Sequence, residues 1–197
     1  CVAGFERSFT STYSVASGDT DGAVAYSIAF TDALGNAGTA VSSGSGSVTV
    51  DKTSPTMTVS IASNNAVTSL AKHGDIATIT IASNETLNGP PTVQISSNTS
   101  PIVSPSTAST DYTATHTLDQ SSDPQTAVTF SIAGILDRAG NTVSTISSTT
   151  DASSVTFDYT APQLDVVSSS SNNSLTSGRA KADDIVTISF TAREAVQ

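Results

Sequence analysis

The chain has 197 residues, of which 66 are Ser or Thr, and only 12% are charged. A formal net charge of −10 with seven Lys and Arg excludes nucleic acid as a partner, since phosphate backbones are held by clustered basic side chains, and it excludes adsorption to an anionic bilayer. No apolar run approaches the roughly 18 residues that read as a membrane-spanning helix, so no membrane insertion is expected.

The hydrophobic fraction of 37% is too high for a disordered polar tract. Short Val- and Ile-bearing alternations in a hydroxyl-rich background favour strands, because β-branched side chains pack well on a pleated surface. Cys1 is the one cysteine, which rules out an internal disulfide framework. Three readings of it stay open: a lipid-modified residue, a disulfide to an outside partner, or an ordinary residue.

In chain order, "TYSV" (Thr12–Val15) is followed by "AVAYSIAFTDALGNAG" (Ala23–Gly38), and then by "SVTVDKTSPTMTV" (Ser47–Val59), where one strand runs into the next. Alternation then marks strands with Met57, Val59 and Ile61 on one face, then Ala77, Ile79 and Ile81, then Val93 and Ile95. Tyr112, Ala114, His116 and Leu118 follow, then Val128, Phe130 and Ile132, then Val155 and Phe157. Asn-Gly-Pro-Pro, Ser-Pro and Ala-Gly-Asn stretches supply the turns between them.

The chain repeats itself. "THTL" (Thr115–Leu118) answers "TYSV", and "AVTFSIAGILDRAGN" (Ala127–Asn141) answers the segment from Ala23. The seam recurs as "SVTFDYTAPQLDV" (Ser154–Val166), with Pro162 lying 107 residues after Pro55. Beyond each seam, Ser63–Leu87 matches Ser171–Val196, so Val186, Ile188 and Phe190 take the parity of Ala77, Ile79 and Ile81. Residues 1–51 therefore read as the C-terminal half of a unit, 52–158 as a complete unit, and 159–197 as the N-terminal half of a third. About seven short strands per unit, with no helical period, predict an antiparallel β-sandwich.

"YSIAFTDALGN" followed by "VTVDKTSPTMTV", and "VTFSIAGILDRAGN" followed by "VTFDYTAPQLDV", resemble the immunoglobulin-like repeats of large extracellular proteins such as bacterial surface adhesins. The resemblance implies an all-β fold of tandem immunoglobulin-like sandwiches and an extracellular or cell-surface location. It leaves function open between spacer, scaffold and binder. The paired Cys and buried Trp of antibody domains are absent.

A seam without a Gly/Ser linker, stiffened by Pro55 and its restriction of Ser54, predicts end-to-end stacking into a rod that advances about 35–45 Å per unit. The same topology brings Asp51, Glu85 and Asp137 to one junction, a set suited to Ca²⁺, which takes oxygen ligands. The next seam repeats it with Asp158 and Glu194, and Asp32 completes that set if an equivalent half-unit docks there. Two readings of Asp-x-x-Gly-Asn stand side by side: a calcium ligand, or turn chemistry in which Asp bonds its own backbone. Lys52 is placed to neutralise part of the cluster.

His116 falls at an inward position whose counterpart is Tyr13, and it reads as a core-edge aromatic stand-in, with a catalytic or metal role as the alternative. His73 has no counterpart. No nucleophile with a base, no phosphate loop and no zinc spacing is present, so the chain is not expected to be an enzyme. Asn84, Asn98 and Asn172 begin N-glycosylation sequons. The expected function is a structural segment of an extracellular filament, its partners being copies of itself or adjacent repeats; the alternative is an adhesin module that binds a glycan or a cell-surface receptor. Gln197 aligns with Asn88 and Cys1 with Ser104, so the two halves together lack about fifteen residues of one unit. They are completed either by a longer array or by the next subunit, as in strand complementation.

Overall fold

A computed structural model describes residues 8–195, so Cys1 and its three readings lie outside the described residues. The described chain is all-β: fourteen strands and no helix. Two short strands come first, β1 (Gly22–Ala23) and β2 (Thr49–Val50), paired antiparallel. Then follow β3 (Met57–Ser63), β4 (Leu70–Ala71), β5 (Ile76–Ser83), β6 (Thr92–Ile95), β7 (Ile102–Ser104) and β8 (Asp111–Thr117). After these come β9 (Phe130–Ala133), β10 (Ile135–Leu136), β11 (Thr142–Val143) and β12 (Thr156–Phe157). A hairpin closes the series, β13 (Leu164–Ser171) with β14 (Val186–Ala192).

The largest sheet has the order β3-β5-β8-β7, antiparallel throughout. Outside that sheet, β6 pairs with β9 and β10 with β11, while a bridge joins Ile132 to Ile146. One cluster of buried side chains joins the two groups of strands, and all its fully buried members lie between Val59 and Phe157. Val59, Ile61, Ala77, Ile79 and Ile81 come from the large sheet, and Val93, Ile95, Ile132 and Phe157 from the other strands. The alternation seen in the sequence is thus the alternation of burial: β3 and β5 put every second residue inside. Each Val or Ile removed from water in this way contributes about 1.5–3 kcal/mol.

Three features were not apparent from periodicity. β7 lies in a stretch that reads as a hydroxyl-rich loop, yet it pairs with β8 from Ile102 to Ser104. β4 runs parallel to β12, a contact between residues 86 apart (Ala71 with Phe157) that no local pattern signals. His116 is less an aromatic stand-in than a hydrogen-bonding centre: its Nε2 lies 2.9 Å from Oδ2 of buried Asp123, and its Nδ1 lies 3.0 Å from Asn98 Nδ2. His73 sits in an exposed loop and accepts a bond from the Gln120 amide.

The hairpin β13–β14 repeats β3–β5 residue for residue. Val59–Ile81, Ile61–Ile79 and Ser63–Ala77 correspond to Val167–Phe190, Ser169–Ile188 and Ser171–Val186. The spacing between the repeats is 107 at the proline but 108 at the Ser-Asn-Asn loop, and the extra residue is absorbed by a bulge between Leu164 and Val166. The loop itself is reproduced: Asn65 Nδ2 donates to Asp75 Oδ2 and Asn173 Nδ2 to Asp184 Oδ2, both at 2.8 Å.

Candidate functional site: the acidic seam

The connector between β2 and β3 is bonded on both flanks. On the preceding side, Asp21 Oδ1 accepts from the Lys52 amide at 3.0 Å and Asp21 Oδ2 accepts from the Thr53 hydroxyl at 2.5 Å. Lys52 Nζ donates to the carbonyls of Ser17, at 3.0 Å, and Asp19. On the following side, Asn84 Oδ1 accepts from the Thr56 amide at 2.7 Å, and Asn141 Nδ2 donates to the Asp51 carbonyl at 3.2 Å and the Thr53 carbonyl at 3.4 Å. Pro55 is buried between them.

These bonds and one bridge gather the carboxylates. Leu87 pairs with Asp137 in an isolated antiparallel bridge, which draws the turn after β10 against the end of β5, where Glu85 lies. Asn141, four residues after Asp137, holds Asp51 from the other side. One oxygen from each of Asp51, Glu85 and Asp137 lies within 4.8 Å of the other two. It is the one such group of three among the described residues.

The three carboxyls are not equivalent. Burial pushes Glu85 up, and the charges of Asp51 and Asp137 push it further. Burial acts on Asp137 in the same direction, but hydrogen bonds from Asn141 and Gly140 outweigh it and hold that carboxyl below its ordinary value. Asp137 Oδ1 accepts from the amides of Gly140 and Asn141, and Oδ2 accepts from Asn141 Nδ2. Gly140, at φ 98°, turns the chain through a left-handed conformation that suits a residue without Cβ. Chemically, the site concentrates negative charge on hard oxygens, with Glu85 pushed up by burial and its acidic neighbours and Asp137 held low by the bonds of its turn. A divalent cation is the ligand class such a set would take.

The other predicted ligands fall elsewhere. Asp32 caps its own turn just as Asp137 does, accepting from the Leu34 and Asn36 amides and from Asn36 Nδ2, with Gly35 at φ 87°. Asp158 and Glu194 line one shallow depression with Gln125, but no third carboxylate joins them among the described residues. Asp158 Oδ1 accepts from Gln125 Nε2 at 2.5 Å and from the Thr160 amide at 2.8 Å. Gln125 is the counterpart of Asp21 by sequence, and it accepts from the Thr160 hydroxyl as Asp21 does from that of Thr53. The second seam therefore repeats the first on its preceding flank.

Of the sequon residues, Asn84 and Asn172 are exposed while their side-chain oxygens accept backbone amides. Asn98 is half-buried, with its amide nitrogen engaged by His116. Two buried carboxylates escaped the sequence reading. Asp75 is held low by Asn65 and by the Lys72 amide, a bond set whose signal is the Asn/Asp pair repeated at Asn173 and Asp184. Asp123 offered no comparable signal.

Comparison with known protein families, with characterised proteins and with solved structures finds no match to this chain.

Proposed function

We propose that this chain is a structural segment of an extracellular fibre, built from immunoglobulin-like β-sandwich repeats threaded end to end. The observation that supports this reading above others is the seam. A linker between independently moving domains would be solvated and slack; the connector from Asp51 to Thr56 is instead bonded to Asp21 behind it and to Asn84 and Asn141 ahead of it. The recurrence of the preceding-flank bonds at Asp158–Thr160 is what a feature of the repeat would show. Within this reading, the Asp51–Glu85–Asp137 group takes Ca²⁺ and further stiffens the joint. Few charges, abundant hydroxyls and three sequons suit an extracellular surface.

Electron microscopy of the native assembly tests the proposal. A thin fibre with an axial repeat of about 35–45 Å per unit is the expected image, and a compact particle whose chain ends meet would overturn it. A glycan array probed with the same material covers the adhesin alternative: specific sugar binding would move the assignment from spacer to binder.

A further inference from the structure

The four-stranded sheet of the complete unit ends in β3 on one side and β7 on the other, and an unpaired edge is a template for an added strand. β7 has three residues and is bounded by Pro101 and Pro105, which offer no N–H to a new ladder. β3 is seven residues long, alternates apolar with hydroxyl side chains and holds no proline. Its edge has to be closed by other means.

No strand pairs with the outer side of β3. Residues 149–153 take its backbone groups instead. The Val59 amide donates to Thr150 Oγ1 at 2.9 Å, and the Val59 carbonyl accepts from the Thr150 amide at 2.8 Å and from the Thr150 hydroxyl at 3.2 Å. The Ile61 amide donates to Ser153 Oγ at 2.8 Å. Further along the same edge, the Ser63 amide donates to the Thr68 carbonyl at 2.8 Å.

The use of hydroxyls matters. A strand laid on β3 would satisfy the same donors but would carry a fresh edge of its own. Side-chain oxygens satisfy them without continuing the ladder, so the sheet stops there. The segment is tethered on both sides, since Ile146 exchanges backbone bonds with Ile132 and the Val155 carbonyl accepts from the Val128 amide. Its bend is closed by the Thr149 hydroxyl, which donates to the Ser153 carbonyl at 2.9 Å, and by the Ser153 amide, which donates to Asp151 Oδ1 at 3.0 Å. Ala152, exposed between them, has a φ of 60°, a left-handed conformation that a Cβ disfavours. Such a residue persists where the bonds around it over-determine the turn.

We infer that residues 149–153 are a strap that ends the large sheet, and that its hydroxyl bonds keep β3 from pairing edge to edge with β3 of a second copy of this chain. The inference concerns the complete unit alone and stands whether or not units are threaded into a fibre. Within a fibre, the strap keeps neighbouring rods from bundling through this edge.

Amide exchange and crosslinking of the 197-residue chain test it. In dilute solution, Thr150→Val with Ser153→Ala should speed exchange of the Val59 and Ile61 amides by about tenfold or more, and spare the Ser60 amide, which points the other way, toward β5. Each single substitution should release only its own amide, so the test survives if the pair fails to fold. Ala152→Gly relieves the bend and should slow exchange at both positions. Ser60 lines an open recess beside Thr150 and Asp151; antiparallel pairing of two β3 edges about Ser60 would set its Cβ about 4.5–5.5 Å from that of the second copy. In a Cys1→Ser background, Ser60→Cys should therefore give little disulfide dimer with the strap intact, and about tenfold more once the two hydroxyls are removed. Dimer yields that do not depend on the hydroxyls, unchanged exchange at Val59 and Ile61, or faster exchange in Ala152→Gly would each overturn the inference.

Discussion

Tyr112 offers the sharpest check on how the complete unit is held together. Its ring is 1% exposed, and its hydroxyl lies inside the 105–110 loop, accepting from the Ser109 amide at 2.8 Å and donating to the Thr107 carbonyl at 3.0 Å. Tyr112→Phe keeps the ring, and with it the apolar burial, and removes only those two bonds. Each is worth about 0.5–1.5 kcal/mol net, so the loss is about 1–3 kcal/mol. The lower half of that range is expected, because Thr107 is exposed and water can take its carbonyl. At roughly 4–8 °C per kcal/mol for a domain of this size, the melting temperature should fall by about 4–16 °C. Urea unfolding followed by circular dichroism should show a lower midpoint with an unchanged slope, and amide exchange at Ser109 should accelerate. A shift below about 0.5 kcal/mol, the usual scatter of surface substitutions, would refute the claim that this hydroxyl pins the loop. The neighbouring repeat already carries Phe9 at the equivalent place, so the substitution is one the fold itself contains.

Further expectations concern the seam. Adding calcium at millimolar concentration should raise the melting temperature of the wild type by mass action and leave Glu85→Gln unmoved; identical wild-type curves with calcium and with chelator would remove the metal. Without calcium the pH dependence has two limbs. Glu85, raised in the folded state, contributes stability that is in place below the ordinary Glu value of 4.5 and is lost as pH climbs through its raised value. Asp137 and Asp75, both lowered, contribute stability present above the ordinary Asp value of 3.8 and lost as pH falls through their folded values. Glu85→Gln should therefore abolish the loss on the higher limb, spare the acid limb, and be more stable than wild type at neutral pH; thermal melts in steps of half a pH unit would read this directly. Asn141→Ala should release the Asp51 and Thr53 carbonyls and widen the distance distribution seen by small-angle scattering, with a modest drop in melting temperature; a distribution identical to wild type would show that the seam is held elsewhere.

The period, the parity of the strands and the residues of the seam could all be read in the sequence, because each is written locally. A side chain two residues along a strand returns to the same face, and a repeated unit announces itself by likeness alone. Asp51, Glu85 and Asp137 could be placed at one junction because strand direction alternates and each stands at a strand end. Only the tertiary structure decided that they meet within 4.8 Å and that Glu85 and Asp137 shift in opposite directions. It also decided the pairing of β4 with β12, the strand at Ile102–Ser104, and the burial of Asp123 beneath His116. The physical reason is common to all of these: a hydrogen bond or a desolvated charge depends on which distant group arrives beside it, and chain order alone does not say which one will.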